Sequence, residues 1–210
     1  MSFPAAETIG VGAFDWCSSL YNLNFPAVKT IEEGAFFLCE SLYSVSFPAA
    51  ETIGVGAFYA CPSLNEASFP SAATIEAGAF YACASLSELN IPAVNAIGDI
   101  AFWYSGDTAL TITMGMNAPT LGVRMFYNDN SKTVTIKIPM GATGYSPDSS
   151  SFDGTPVTIS GDNTDASWAN GFRGGGWDGA TWVYSEINGY GICGGSSDIN
   201  QYITLNIVQE

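Results

Sequence analysis

The sequence predicts an α/β repeat: a solenoid of 22-residue turns over residues 1–139, followed by a small β-rich cap over residues 140–210. Three observations predict it. Phe3, Phe25, Phe47 and Phe69 each precede a proline, and Ile91 opens a fifth segment in the same way, at a constant interval of 22 residues. Residues at equal positions form rows: Ile9, Ile31, Ile53, Ile75 and Ile97; Phe14, Phe36, Phe58, Phe80 and Phe102; Leu20, Leu42, Leu64 and Leu86. Beyond Pro139 the pattern gives way to a Gly-, Ser-, Asp- and Thr-rich composition. Self-similarity at such a period is the mark of stacked supersecondary units. One unit cannot offset its own ordering entropy, so neighbouring turns must share hydrogen bonds and bury each other's faces.

The elements follow from local spacing. In Leu20-Tyr21-Asn22-Leu23-Asn24-Phe25 the apolar Leu23 and Phe25 alternate with polar residues, which predicts a half-buried strand. Pro26 ends it, since proline has no N–H for a ladder. In Gly34-Ala35-Phe36-Phe37-Leu38-Cys39, Ala35 and Cys39 are four apart and Phe36 and Cys39 three apart, which predicts one short helical turn. Each unit is thus one strand plus one helical turn, repeated about six times, with the last two units degenerate. Ile100 and Arg124 stand where the other units carry glycine, so the position is expected to need no left-handed backbone. A sixth unit is visible from Thr120, with its strand at Thr133–Ile138. The cap carries Trp168, Trp177 and Trp182 among many glycines and ends in the alternating Tyr202–Ile207, a final strand. Such a cap is expected to cover the last apolar face of the stack.

The motif L-x-x-L-x-F-P followed by T-I-G-x-G-A-F-Y-A-C resembles the leucine-rich repeats of the BspA-like bacterial surface protein family. The likeness extends over about residues 3–139, and a G-A-T-G-Y and W-A-N-G-F-R-G-G-G-W region is similar to the segment C-terminal to such repeats in that family. It implies a right-handed leucine-rich-repeat solenoid that is extracellular or at the cell surface, works in adhesion, binds a host or matrix protein, and has no catalytic residues.

Met1-Ser2 leads into Phe3-Pro4 in mid-unit, without a polar cap or an export signal, which predicts a longer chain continuing on this side. Taken alone, the open first turn is expected to favour weak end-to-end self-association. No apolar run approaches a membrane span. The net charge of −15 argues against nucleic acid, whose phosphates need a basic footprint. Glu7, Lys29 and Glu51 share one repeat position and alternate in sign, which predicts pairing between turns.

Cys17, Cys39, Cys61 and Cys83 share one slot and are expected to form a buried, reduced column of small apolar thiols, leaving Cys193 to react first with a thiol reagent. With no histidine in the chain and a stacked rather than tetrahedral thiol arrangement, neither a metal site nor any cofactor is expected. The same absence removes Ser-His-Asp, Cys-His and H-E-x-x-H chemistry. Glu66 and Glu88, at one strand position in adjacent turns, are the remaining pair of carboxylates. They lie on an open face with nothing to desolvate them, so the chain is read as no enzyme.

The outward strand face is the candidate for recognition: Tyr21, Asn22 and Asn24; Tyr43, Ser44 and Ser46; Asn65, Glu66 and Ser68; Ser87, Glu88 and Asn90. Solenoids present such a face as an extended binding surface, and Tyr, Asn and Ser suit adaptable protein contacts. The alternative from another class is a carbohydrate-binding or glycan-processing protein that stacks sugars on Trp168, Trp177 and Trp182.

Overall fold

The computed structural model describes residues 5–107, 109–117, 119–121, 132–139, 176–177, 182–183 and 203–209. The chain forms a parallel β-solenoid of about five turns of roughly 22 residues. Each turn contributes two strands to two different sheets. The shorter strands, β1 (Thr8–Ile9), β3 (Thr30–Ile31), β5 (Thr52–Ile53), β7 (Thr74–Ile75), β9 (Ala96–Ile97) and β11 (Thr120–Leu121), make a six-stranded sheet in that order. The other sheet holds β2 (Asn22–Asn24), β4 (Ser44–Ser46), β6 (Glu66–Ser68), β8 (Glu88–Asn90), β10 (Ala109–Thr113), β12 (Lys132–Ile138) and β15 (Ile203–Gln209). A separate antiparallel pair, β13 (Gly176–Trp177) and β14 (Trp182–Val183), sets Trp177 opposite Trp182.

The strand expected around Leu23 is present, with Leu23 inward between exposed Asn22 and Asn24. The expected helical turn is not: the described residues contain no helix, so the fold is β-solenoid rather than α/β. The hydrogen bonds give the reason. Ala13, Asp15 and Cys17 donate their N–H to the carbonyls of Gly10, Gly12 and Phe14, three residues back. The alternate donors Gly12, Phe14 and Trp16 point instead to the carbonyls of Glu33, Ala35 and Phe37 in the next turn. A helix would satisfy all these donors internally and leave this wall of one turn joined to the next only by side chains. The chain of tight turns uses half of them to stitch one coil to the next, and the pattern recurs at Gly34, Phe36 and Leu38.

The turn wall requires left-handed backbone twice per coil, which corrects the expectation about the glycine column. Gly12, Gly34, Gly56 and Gly78 have φ between 57° and 61°, and Ile100 is held at φ 50°. Arg124 lies outside the described residues. The second position is filled by Trp16, Leu38, Ala60, Ala82 and Tyr104, at φ 54–57°. Left-handed geometry costs a non-glycine residue about 1–2 kcal/mol. Ile100→Gly should therefore raise stability by about 1 kcal/mol after the added flexibility of glycine in the unfolded chain is deducted. Urea titration checks this, and a lower midpoint would show that the Ile100 side chain matters more than its backbone.

The core lies between the two sheets and the turn wall. Phe36, Phe58, Phe80 and Phe102 are fully buried, as are Phe47 and Phe69 of the aromatic-proline pairs. Rings of one row stack face to face, Phe36 on Phe58 at 5.0 Å and Phe58 on Phe80 at 5.3 Å between centroids, and the two rows meet at tilted angles. Phe14, Leu20 and Cys17 of the first turn are only partly covered. The alternating charge row is realised at its first step, where Lys29 Nζ lies 3.1 Å from Glu7 Oε2. Both side chains are well exposed, so the pair contributes little to stability.

The cysteine column is more than small apolar filling. Cys39, Cys61 and Cys83 are buried, and each S–H donates to the carbonyl of Phe14, Phe36 or Phe58 in the preceding turn, at 3.1 Å. Ser105, fully buried in the fifth slot, donates its hydroxyl to the Phe80 carbonyl in the same way. The slot asks for a small side chain carrying a donor, and serine satisfies it; Ser105 preserves the repeat rather than eroding it. Cys17 corrects the expectation of four buried thiols: it is partly exposed. All four are free thiols, and Cys193 lies outside the described residues. Burial pushes the Cys39 thiol up to about 11 and the Cys83 thiol up to about 12, and raises Cys61 as well. Since the thiolate is the reactive form, a thiol reagent in native buffer should label Cys17 well before Cys39, Cys61 and Cys83. Raised folded-state values also mean that the buried thiols stabilise the fold fully below about 9. That contribution is lost as pH climbs above 9, where the unfolded thiols ionise and the buried ones resist. Mass mapping of labelled sites checks the first statement, and equal labelling of Cys61 and Cys17 would refute it.

The period stretches toward the end of the stack. Strand partners are 22 residues apart from Thr8↔Thr30 to Thr74↔Ala96, then 24 apart at Ala96↔Thr120. In the other sheet Glu88 pairs with Thr111 and Ala109 with Thr133, steps of 23 and 24. The extra residues fall between strands, so the ladders continue unbroken. The final strand expected at Tyr202–Ile207 appears as β15, and it runs parallel beside β12 with Val134 opposite Leu205. The rest of 140–202 lies outside the described residues apart from β13 and β14, and with it most of the expected cap.

Candidate functional site

The outer face of the seven-stranded sheet is hollowed into a groove of about 620 Å³ that crosses β2, β4, β6, β8, β10 and β12. The alternation of each strand builds it: Leu23, Val45, Ala67, Leu89, Ile112 and Ile136 turn into the core, and their neighbours turn out. In-register pairing aligns the outward residues into two rows running up the stack. One row is Asn22, Ser44, Glu66, Glu88 and Thr111; the other is Asn24, Ser46, Ser68, Asn90, Thr113 and Lys137. Adjacent residues in a row are spaced by the strand separation, about 4.7–4.9 Å.

The rows differ in how far they satisfy themselves. Ser44 Oγ donates to Asn22 Oδ1 at 2.9 Å, and Asn90 Nδ2 donates to Ser68 Oγ at 3.2 Å. Glu66 and Glu88 stand side by side, both exposed, and neither carboxylate is engaged by an ion pair or side-chain hydrogen bond among the described residues. The remaining expected residues, Tyr21, Tyr43, Asn65 and Ser87, precede the strands and form one border of the groove. Tyr21 and Tyr43 stack at 5.6 Å with planes 13° apart. Tyr43 OH donates to Asn65 Oδ1 at 3.5 Å, while Asn65 Nδ2 donates to the Ser85 carbonyl at 3.0 Å and Ser87 Oγ to the Asn65 carbonyl at 3.3 Å. This border is a bonded ridge.

Eight of the twelve expected residues, Asn22, Asn24, Ser44, Ser46, Glu66, Ser68, Glu88 and Asn90, line the groove, and the other four stand just before the strands. The structure adds Thr111, Thr113 and Lys137, which sequence reading passed over. Their signal is the alternation in Ala109–Thr113 and Lys132–Ile138, obscured by the lengthened period. Of the alternative sugar platform, Trp177 and Trp182 are strand partners in β13 and β14, and Trp168 lies outside the described residues. Among the described residues no group of three or more Asp, Glu, Cys or His stands ready to hold a metal. No described helix is long and apolar enough to cross a membrane.

The model of the BspA type leucine rich repeat region matches residues 7–133 in six copies. The chain belongs to the BspA-type leucine-rich repeat family. The matched span covers every strand of the two solenoid sheets up to the first two residues of β12, and leaves out the rest of β12 and β15. No curated protein and no solved structure matches this BspA-type chain. Membership in a leucine-rich-repeat family points to a protein-interaction module on a scaffold that is typically non-enzymatic. In this BspA-type solenoid the groove is the surface where outward polar residues of six consecutive strands converge.

Proposed function

We propose that this chain is a non-enzymatic adhesion module, secreted or held at a cell surface, that binds a host or matrix protein in the groove of its seven-stranded sheet. The observation that carries the reading is the groove itself: a hollow of about 620 Å³ floored by an in-register sheet and lined with polar side chains from six strands. A stack of this kind holds its binding residues on strands rather than loops, so little ordering entropy opposes binding. Residues 140–210 serve in this proposal as the cap of the stack. The alternative glycan reading rests on Trp168, Trp177 and Trp182, of which Trp177 and Trp182 are strand partners in β13 and β14.

Ser68→Trp tests the proposal. Ser68 points into the groove from β6, so a large side chain there fills the hollow without entering the core. In a binding screen against extracellular-matrix proteins, the native chain should capture a partner and Ser68→Trp should lose it at least about tenfold, with thermal stability unchanged. Full binding by Ser68→Trp would place recognition elsewhere.

A further inference from the structure

We infer that the groove takes a basic segment of its protein partner, with an arginine or lysine side chain seated across Glu66 and Glu88. This rests on the reading of the groove as a protein-binding face and specifies its partner's chemistry. Two like charges directly opposite each other in a sheet destabilise it. Here they occupy adjacent strands in register, and their neighbours in the row, Ser44 and Thr111, are neutral. The fold therefore concentrates negative charge at mid-groove and leaves it without a described counter-ion. Lys29 is engaged with Glu7, beside the other sheet.

A guanidinium fork spans two carboxylates set one strand apart, with charge-assisted hydrogen bonds to each. A partner lying over the groove would also exclude water and strengthen the attraction. Charge complementarity holds at long range too: with 20 acidic residues against five lysines and arginines, the whole chain steers cations toward itself. Lys137, in the other row and two strands past Asn90, marks the far end of the groove as the less acidic one. The partner's basic residue is thereby placed at the middle, between the neutral Asn22 and Asn24 at one end and Lys137 at the other.

The test is selection of a random-peptide display library on the full chain, followed by binding of individual selected peptides to the native chain, Ser68→Trp and the double variant Glu66→Gln/Glu88→Gln. Glutamine keeps the shape and removes the charge, and thermal midpoints confirm that each variant is folded. The expected peptides share an Arg or Lys at one position, are lost on Ser68→Trp, and bind the double variant roughly ten- to a hundredfold more weakly. Peptides that are lost on Ser68→Trp but are neutral or acidic, or indifferent to the double variant, would overturn the inference and leave the groove as the binding face. Peptides unaffected by Ser68→Trp, or no enrichment at all, would overturn both.

Discussion

Phe58→Ala is expected to destabilise the fold by about 3–5 kcal/mol. Phe58 is fully buried at the middle of its row, stacked on Phe36 and Phe80 and tilted against Phe47 and Phe69. Truncation opens a cavity whose walls belong to three turns, and none of those turns can close inward without breaking its ladder to the next. Tyr43→Ala is the matched comparison. Tyr43 is 40% exposed and keeps one stacked neighbour, Tyr21, so its loss should cost about 0.5–1.5 kcal/mol. On the adhesion reading the order reverses for binding, because Tyr43 stands on the ridge of the groove and Phe58 touches no partner. Urea unfolding of both variants checks the pair, and equal losses would mean that the inward and outward faces are not as described.

The second large effect is expected at a glycine that looks interchangeable in the sequence. The residue after the Thr-Ile or Ala-Ile strand alternates along the stack: Gly10, Glu32, Gly54, Glu76, Gly98. A Cβ on Gly54 would sit 2.7 Å from the carbonyl carbon of Glu32 and 2.8 Å from the Ile31 carbonyl oxygen. Both are backbone atoms of the preceding turn and have no rotamer in which to retreat. A Cβ on Gly10 would meet only the Glu32 carboxylate, at 3.7 Å, where that carboxylate arches over to accept the Val11 N–H. Gly54→Ala should therefore cost about 1–3 kcal/mol. Gly10→Ala should be neutral or stabilising by up to about 1 kcal/mol, through the stiffer unfolded chain. Thermal unfolding of the two variants separates them, and equal effects would show that the close approach of turns at Gly54 relaxes freely.

Much of this molecule was legible in its sequence. The 22-residue period named the stack, and the Ile and Phe rows named its core, because residues at equal positions in a solenoid must share an environment. The outward strand face was legible for the same reason: a period of two in Asn22-Leu23-Asn24 leaves the side chains no other arrangement. These readings rest on periodicity, which survives from sequence into space.

What only the tertiary structure decided is where backbone donors go. The spacing of Ala35, Phe36 and Cys39 suits a helical turn as well as a chain of tight turns, since both return side chains to one face after three or four residues. The choice falls to the tight turns because Gly12, Phe14 and Trp16 find carbonyls in the neighbouring coil, a partner that no single unit contains. The same cause hid the second sheet, whose two-residue strands such as Thr30–Ile31 are too short to show alternation and exist only by pairing with their copies. It also hid the left-handed residues, the donor role of the cysteine slot, and Lys137 in the groove. Each depends on the register between turns, and register is a property of the stack.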